Sequence, residues 1–419
     1  MLGHKYLVLI LYRLDGLTIL NKGKDNNQLK HADISQYFPQ KQSIFYTYFC
    51  KQLAISIPLK SLYLSNKQLI TSMKKNLLLS ISLLLVIGTF AQQKKYQIAA
   101  FGFYNLENFY DTINQPGVDD EDFTPDGNYH YNGTIFLDKV NHLADVVSII
   151  GTDETPDGLA FFGVAEIENR SVLETLVNHP KLKSRNYQIV HYDGPDLRGV
   201  DCGFIYNPKY FKVLYSSSNL VDLKSIKIDN RPTRDVLYVK GIFNGVDTIH
   251  IFVNHWPSRR GSQEASAPKR NIAAAVSKHM IDSLMAIDPN TKVVDMGDLN
   301  DNPTDASMTK VLKCVDKKDK CQAGGLFNPW VDFYKKGIGT LGYNDTWSLF
   351  DQEAISYGWL SHDQSGFFYQ GAHIFSRDFM IQKTGQYKGY PKRTWNWNIY
   401  NAGYSDHFPT YITILREVK

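Results

Sequence analysis

Apolar and polar residues along the chain from Tyr96 onward follow the two periods expected of strands and helices. Short apolar runs bounded by turn residues predict buried strands: QIAAFGFYNL, GLAFFGVAEI, YQIVHY, CGFIY, KVLYS, LYVKGIF, DTIHIFVNHW, KVVDMGDLN, HIFSRDFMI and TYITILREV. Helical spacing over 136–150, and the segments SVLETLVNH and RNIAAAVSKHMIDSLMAI, predict helices. Strands alternating with a few helices over 96–417 predict one large α/β domain with packed sheets.

A different pattern precedes this domain. Met73 is followed by two lysines, an apolar stretch over 77–90 and a small residue before Gln92, which is the order of a secretory signal peptide. The apolar stretch is shorter than the ~20 residues that a membrane span needs. We therefore expect a cleaved signal peptide over 73–91, an exported protein that is periplasmic or secreted, and no stable membrane span after cleavage. Residues 1–72 then form a spurious or disordered extension.

Net charge differs between these two parts of the chain. The whole sequence has a formal net charge of +4, but residues 92–419 contain 35 basic and 39 acidic side chains, a net charge of −4. A protein that held nucleic acid by its overall charge would be basic in its folded part. Phosphate binding must therefore rest on local basic residues and bound cations. Cys202 predicts a buried thiol, whereas Cys314 and Cys321 would close a surface disulfide in an oxidising compartment.

Polar residues follow several apolar runs where the strands end. Asp298 and Asn300 follow VVDM, and alternate residues of a strand point the same way, so both would face one pocket. The carboxylate can take a proton from water, and the amide can hold that water or a phosphate oxygen. Asp406 and His407 precede the last strand, where a histidine can stabilise a charged transition state, with Asp351 as its candidate orienting partner. Taken singly, each motif is explained as well by turn chemistry.

A carboxylate and an amide end two further apolar runs. Glu166 follows GLAFFGVA, and Asn105 has a similar position in FYNLEN. A carboxylate at the end of a buried strand is costly unless it is paired or binds a metal, and Mg²⁺ favours carboxylate oxygens. Glu166 is therefore a candidate Mg²⁺ ligand. Glu168 points the same way along a regular strand, but a solvated position or a pair with Arg170 is more typical of it.

His255 ends the strand HIFVNHW and is followed closely by Arg259 and Arg260. A lone histidine after a strand is most often structural, but two arginines behind it favour a loop that faces phosphate. Asp201, in RGVD, is a candidate carboxylate partner for His255, and Arg198 of the same motif is a further candidate contact for substrate phosphate.

Seven motifs taken together resemble the endonuclease/exonuclease/phosphatase superfamily, which includes deoxyribonuclease I. In chain order they are N-L-E-N, A-E-I-E-N, R-G-V-D, N-H-W-P-S-R, G-D-L-N-D, L-F-D-Q and S-D-H-F-P. The resemblance covers 98–415 and is greatest for exported bacterial members. It implies a four-layer α/β sandwich, in which two packed mixed β-sheets are flanked by helices.

The resemblance also implies a metal site, for Mg²⁺ or alternatively Mn²⁺ or Ca²⁺. Glu166 would be the main ligand, and Asn105 and Asp406 would lie beside the metal. Asp298 would orient or deprotonate the attacking water, and Asn300 would contact the scissile phosphate. The implied reaction is in-line attack of water on phosphorus.

Two histidines complete the implied catalytic set. His407, held by Asp351, would bind the phosphate and stabilise its charge. His255 would be the second histidine, with Asp201 as a supporting partner.

Nucleic acid is the first expectation for the substrate, cleaved by an exported, monomeric, metal-dependent nuclease. Candidate phosphate contacts are Arg198, Arg259, Arg260, Lys269, Arg270, Lys392 and Arg393. Trp395 and Trp397 would stack on bases, although surface packing explains that loop equally well. Two alternatives stay open: a phosphatase or phosphodiesterase for a phospholipid or sugar phosphate, and a non-catalytic phosphate-binding module.

Overall fold

Two structural units divide the chain, Met1–Gln92 and Gln93–Lys419. The computed structural model describes residues 8–13, 16–21, 73, 75–76, 94–224, 231–360 and 366–418. In the first unit, strands β1 (Val8–Arg13) and β2 (Gly16–Asn21) form an antiparallel pair. The predicted extension over 1–72 and signal peptide over 73–91 lie almost entirely outside the described residues. None of the helices in the described ranges is long and apolar enough to cross a membrane.

The second unit contains the predicted alternation of strands and helices. Its strands are β3 (Lys95–Phe109), β4 (Phe161–Ile167), β5 (Gln188–His191), β6 (Asp201–Tyr206), β7 (Phe211–Asn219), β8 (Val236–Phe243), β9 (Asp247–His255), β10 (Lys292–Asp298), β11 (Leu326–Phe327), β12 (Leu341–Tyr343), β13 (Thr346–Ser348), β14 (Asp351–Ser356), β15 (Phe368–Ile374), β16 (Trp395–Asn396), β17 (Ile399–Tyr400) and β18 (Thr410–Val418). Its α-helices are α1 (Gly133–Val147), α2 (Arg170–Val177), α3 (Gln263–Ile287) and α4 (Val331–Lys335).

These strands form two six-stranded mixed sheets. The first has the order β15-β18-β3-β4-β6-β5, and the second has the order β11-β14-β10-β9-β8-β7. Within each sheet one neighbouring pair is parallel, β3 with β4 and β9 with β10, and the other pairs are antiparallel. The predicted α/β sandwich of two mixed sheets is confirmed.

Three buried clusters define the layers of the sandwich. Apolar side chains of both sheets meet between them, including Phe101, Phe161, Phe204, Val253, Met296 and Ile355. Leu143 of α1 and Leu173 of α2 pack against the first sheet, and Ile281 of α3 packs against the second. The order is therefore helix, sheet, sheet, helix. This burial of both sheet faces explains why the strands read as continuous apolar runs.

Local sequence signals explain two helix starts. Asn132 caps α1 by accepting hydrogen bonds from the backbone of the first turn, and Ser262 caps α3 in the same way. The sequence pattern placed the start of α3 at Arg270, which is later than observed. Pro268 lies inside α3, where it removes one backbone donor near the N-terminus without ending the helix. The described cysteines are free thiols, so the Cys314–Cys321 disulfide is not formed.

Glu353 is a buried acid in the interior of β14. Its side chain is fully buried, and its Oε1 accepts a hydrogen bond of 2.8 Å from Thr410 Oγ1. Burial raises the pKa of Glu353 well above its usual value, so the folded protein favours the protonated form of this carboxyl. In the unfolded chain the same group ionises with a pKa of about 4.3.

The Glu353→Gln variant is therefore expected to be more stable than wild type at pH 8. The folded state binds a proton that the unfolded state releases, so the stability from this group is complete below about pH 4.3 and is lost as pH rises above it. The gain at pH 8 should be about 1–3 kcal/mol in the free energy of unfolding. Melting temperatures measured from pH 5 to pH 8 test this, with the exposed Glu121→Gln as control. A gain that does not grow with pH would contradict it.

Candidate metal-dependent active site

The predicted site residues lie where parallel strands end on the same edge of each sheet. Asn105 is near the end of β3 and Glu166 near the end of β4, which pair in parallel. His255 ends β9 and Asp298 ends β10, and the register of this parallel pair sets these two residues side by side. Asp351 begins β14 opposite Asp298. The topology thus brings together residues that are far apart in sequence.

A β-bulge sets the direction of Glu166. The register shifts between Ala165 and Ile167, and Glu166 adopts φ 60°, a conformation that is unfavourable for residues other than glycine. The Glu166 carboxylate accepts hydrogen bonds from Asn108 N at 2.9 Å and Asn105 Nδ2 at 3.3 Å. Bulges of this kind turn a side chain away from the regular alternation. Glu166 is therefore held in a strained backbone position by its contacts at the site.

Asn105 links the two carboxylates. Its Nδ2 donates to Glu166 and also to Asp298 Oδ2, the latter at 3.0 Å. Its Oδ1 accepts a hydrogen bond of 2.8 Å from Glu107 N, so the amide oxygen is turned away from the carboxylates. The fully buried Asn105 thus lies beside Glu166, the expected metal ligand. It donates hydrogen bonds to both carboxylates, and its oxygen does not face them.

Two histidines face Asp298 Oδ2. His255 Nε2 is 3.7 Å from this oxygen and 3.7 Å from Glu166 Oε1. His407 Nε2 is 3.8 Å from the same Asp298 oxygen. The other ring nitrogen of His407, Nδ1, is 2.7 Å from Asp351 Oδ2. Asp351 is fully buried, so it holds the His407 ring in one orientation.

The two histidines carry different charges. Burial by itself lowers the pKa of His407, but the carboxylates of Asp351 and Asp298 outweigh burial and hold this pKa well above its usual value. Burial, together with the positive charge of Arg234, holds the pKa of His255 well below its usual value. At neutral pH the site therefore contains a cationic His407 and a neutral His255.

Close contact between β9 and β10 fixes Asp298 and Asn300. A Cβ atom on Gly297 would lie 2.1 Å from Asn254 O, so only glycine allows the two strands to approach this closely. Beyond the strand, Asn300 N donates to Asp298 Oδ1 at 3.0 Å, and Asn300 Nδ2 donates to Trp256 O at 3.0 Å. Asn300 therefore orients Asp298 and ties the two strand ends together.

The side chains present fit a divalent cation at one position. Glu166, His255 and Asp298 offer ligand atoms that all lie within 4.8 Å of one another. Carboxylate oxygens suit Mg²⁺, Mn²⁺ or Ca²⁺, and a neutral imidazole adds a nitrogen that Mn²⁺ accepts more readily than Mg²⁺. Asp298, Asp351 and His407 form a second group of this kind. That group is a weaker candidate because its imidazole is cationic and already bonded to Asp351.

Comparison with known proteins identifies the family. The sequence model of the Endonuclease/Exonuclease/phosphatase family matches residues 100–416. The chain belongs to this family. It is a metal-dependent phosphoric ester hydrolase of the endonuclease/exonuclease/phosphatase type. A comparison with the curated proteins finds no match.

Solved structures of the family resemble the chain at low sequence identity. A truncated Caenorhabditis elegans TDP2 is 14% identical, and the match covers 76% of this chain and 97% of that one, with a TM-score of 0.46. A Bacteroides thetaiotaomicron mannosyl-6-phosphatase is 12% identical, and the match covers 75% of this chain and 99% of that one, with a TM-score of 0.46. An endonuclease/exonuclease/phosphatase family protein from Bacteroides thetaiotaomicron is 12% identical, and the match covers 78% of this chain and 100% of that one, with a TM-score of 0.46.

Two acids expected at the site of this family member have other partners. Asp201 was predicted to support His255, and this is wrong: its Oδ2 is 3.2 Å from His191 Nε2. His255 Nδ1 has no hydrogen-bond partner among the described residues. Asp406 accepts a hydrogen bond of 2.9 Å from Arg393, and its Oδ1 is 3.8 Å from His407 Nε2. Asp406 thus borders the site through His407 and belongs to neither of the two groups of possible metal ligands at the site.

Three of the arginines expected to bind substrate, Arg198, Arg259 and Arg260, divide into two groups. Arg259 donates to Asn300 O at 2.8 Å and to Asp305 Oδ2 at 2.7 Å. It therefore braces the loop after β10, and the prediction of direct phosphate binding by Arg259 is corrected. Arg198 and Arg260 both line a cavity next to the strand end of β9.

Glu168 departs from its sequence interpretation. It is buried, and its Oε2 accepts a hydrogen bond of 2.6 Å from Asp111 N. Arg170 pairs instead with Glu174, at 2.7 Å. Burial raises the pKa of Glu168 to about 8. The bulge at Glu166 breaks the alternation that would have set both glutamates on one side.

A buried acid–base pair near the site was missed by the sequence analysis. Glu107 Oε2 accepts a hydrogen bond of 2.6 Å from Thr394 N, and Lys139 Nζ donates to Thr394 Oγ1 at 2.6 Å. Burial raises the pKa of Glu107 to about 7 and lowers that of Lys139 to about 8. The pair anchors the loop that leads to Asp406 and His407. The available signal was the position of Glu107 two residues after Asn105, within N-L-E-N.

Proposed function

We propose that this protein is an exported, divalent-metal-dependent nuclease, a phosphodiesterase that hydrolyses DNA or RNA. The observation that carries the phosphodiesterase chemistry is the arrangement around Asp298 Oδ2. On one side a cationic His407 lies 3.8 Å away, and on the other side a neutral His255 lies 3.7 Å away, next to Glu166. A general base, an anion-stabilising cation and candidate metal ligands thus share one small site.

Asp298 is suited to accept a proton from the attacking water. Burial raises the pKa of Asp298 to about 6, and the carboxylates of Asp351 and Glu166 add to this rise while His407 opposes it. The carboxylate is therefore ionised at neutral pH yet more basic than an ordinary aspartate, which favours proton transfer. The hydrogen bond from Asn300 N holds it in place.

His407 is suited to stabilise the charge that develops on phosphate. Its Nδ1 is fixed by Asp351, so the protonated Nε2 can donate to a non-bridging oxygen in the pentavalent transition state. His255, neutral and with its Nε2 toward Glu166 and Asp298, can bind water or a phosphate oxygen as a neutral partner. A divalent cation held by Glu166 would offset further negative charge on the phosphate oxygens.

An exposed indole supports nucleic acid as the substrate. Trp395 was expected to stack on bases, but it is buried and packs against Tyr129 and Tyr400. Trp397, between β16 and β17, is 82% exposed. It lies on the segment that leads to Asp406 and His407. An exposed indole offers a stacking surface for any base.

Cleavage of a panel of substrates tests this proposal. The purified chain is expected to cut duplex DNA, single-stranded DNA or RNA in the presence of Mg²⁺, Mn²⁺ or Ca²⁺, and to stop when EDTA is added. Release of phosphate from small monoesters with no polymer cleavage under any of these metals would contradict the nuclease proposal. It would favour the phosphatase alternative on the same site.

Export is the second part of the proposal. It rests on the basic, apolar and small-residue order over 73–91. N-terminal sequencing of the protein recovered outside the cytoplasm is expected to give a mature start at Gln92. A start well upstream of Gln92 would contradict the predicted cleavage site.

A further inference from the structure

A basic cavity of about 310 Å³ lies beside the strand end that carries His255. Its walls contain five cationic and two acidic side chains: Arg198, Arg231, Arg234, Arg260, Lys269, Asp119 and Asp196. This local excess of positive charge contrasts with the net charge of −4 over 92–419. The volume is at the lower end of the range of roughly 300–1,000 Å³ for small-ligand sites. The cavity is therefore large enough for a small anionic group.

Arg234 connects the cavity to the active site. It is buried, and it donates to His255 O at 3.0 Å, to Trp256 O at 2.6 Å and to Asp196 Oδ2 at 2.8 Å. Pro257, next along the chain, also lines the cavity. A group bound in the cavity would thus contact a segment that begins two residues after His255 in the chain.

Asp196 is shared between two of the arginines in the cavity walls. It is paired with Arg234, and it also accepts a hydrogen bond of 3.0 Å from Arg198 N. Arg198 Nε is 3.4 Å from Asp196 Oδ1, while the Arg198 side chain stays 45% exposed. One carboxylate is thereby shared between two guanidinium groups, and Arg260 adds a further cationic side chain to the walls.

Thr233 provides a second, independent indication that the cavity binds a hydrogen-bond acceptor. It is 4% exposed and lines the cavity, and within the described residues its Oγ1 has no hydrogen-bond partner. A buried hydroxyl without a partner costs about 1–3 kcal/mol, so such groups are normally satisfied. An anionic oxygen in the cavity would accept this hydrogen bond.

We propose that this cavity binds a second phosphate group of the substrate, next to the phosphate that is hydrolysed. The proposal rests on the phosphodiester-cleaving function proposed above and deepens it. A strand of nucleic acid supplies such a group as the adjacent backbone phosphate, and a small bisphosphorylated molecule supplies it as its other ester. Both sources share the chemistry that Thr233, Arg198 and Arg260 recognise.

Binding of paired nucleotides tests the proposal without turnover. Thymidine 3′,5′-bisphosphate and thymidine 5′-phosphate are titrated into the full chain in EDTA by calorimetry. The bisphosphate is expected to bind about tenfold more tightly, the effect of one charge-assisted hydrogen bond or ion pair. Thr233→Val and Arg260→Gln should each remove most of the tenfold difference in affinity and leave the affinity for the monophosphate unchanged.

A matched variant controls for the general effect of removing a lysine or arginine. Lys278→Gln removes a cation from the same helix as Lys269, about 13 Å farther along its axis, where the lysine pairs with Asp282. It should leave both affinities unchanged. Equal affinities of the wild-type chain for the two nucleotides would overturn the proposal, as would an equal loss for both nucleotides in the Thr233→Val and Arg260→Gln variants.

Two further ligands identify the source of the second phosphate. Fructose 1,6-bisphosphate and the dinucleotide 5′-pTpT are titrated into wild type and Thr233→Val. If 5′-pTpT binds more tightly than fructose 1,6-bisphosphate and Thr233→Val removes the difference, the second phosphate belongs to a polynucleotide. If the sugar bisphosphate binds more tightly in this way, the second phosphate belongs to a small molecule. Because these titrations need neither metal nor turnover, they stay informative when polymer cleavage fails. A failure of the nuclease proposal can therefore be distinguished from a failure of the second-phosphate site.

Discussion

Replacing Asp298 with asparagine is expected to lower kcat by about 10³-fold, within the 10²–10⁴-fold range of general-base catalysis. Asparagine keeps the size of the side chain and an oxygen for the hydrogen bond from Asn300 N, but it cannot take a proton from water. The loss should appear in kcat with every cleavable substrate, because proton transfer does not depend on how the rest of the substrate binds. Initial rates at saturating Mg²⁺ and substrate measure it.

Two control variants are measured with Asp298→Asn. Its new amide faces Asn105 Nδ2, a donor, so Asp298→Ala is measured beside it to separate lost chemistry from this repulsion. Asp295→Asn, on the same strand, removes a buried carboxylate that bonds to Asn254 outside the site, and it should keep kcat within about threefold. Near-normal kcat in both Asp298 variants, with melting temperatures like wild type, would rule out Asp298 as the base.

Replacing His407 with glutamine is expected to lower kcat by about 10²–10³-fold, the usual effect of removing one donor to a developing anion. Burial and Asp351 hold His407 in a single orientation, with its Nε2 toward Asp298. Glutamine can donate a hydrogen bond from a similar position but carries no charge. KM should change less than kcat, because the charge that His407 stabilises is greatest in the transition state.

Two variants separate the charge of His407 from its position. Asp351→Asn keeps an oxygen toward His407 Nδ1 but removes the charge that favours the imidazolium, so its kcat should fall between those of wild type and His407→Gln. His373→Gln changes a half-buried histidine of β15, which bonds to Thr413 Oγ1, and should leave kcat unchanged. A larger rise in KM than fall in kcat for His407→Gln would contradict the transition-state role.

Much of the site could be predicted because each polar residue follows an apolar run in the sequence. Asn105, His255 and Asp298 end strands that the pattern predicts as buried, and parallel pairing brings such ends to one edge. Asp351 was a candidate partner of His407 from the residues, and the family resemblance implied the same pairing; in the structure 2.7 Å separates His407 Nδ1 from Asp351 Oδ2. Asp351 and His407 are 56 residues apart in the chain, so no helical or strand periodicity predicts their contact.

Other residues were misplaced because their environment depends on distant strands. Asp201 bonds to His191 of the neighbouring β5, a pairing set by strand order. Trp395 and Trp397 look alike in sequence, but Trp395 is buried and Trp397 is exposed. Arg259 follows His255 closely, yet its guanidinium turns toward Asp305. In each case contacts and exposure in the folded chain decide where the side chain lies, and the local sequence does not show them.

The sequence by itself determined the α/β class, the family and the identity of the polar residues at the strand ends. These follow from apolar periodicity and from motifs, which are local properties of the chain. Only the tertiary structure decided that His255 is neutral and His407 cationic, the direction of Glu166 at its bulge, and the basic cavity around Thr233. These depend on burial and on charges brought together by long-range packing, because desolvation and Coulomb interactions act through space and not along the chain.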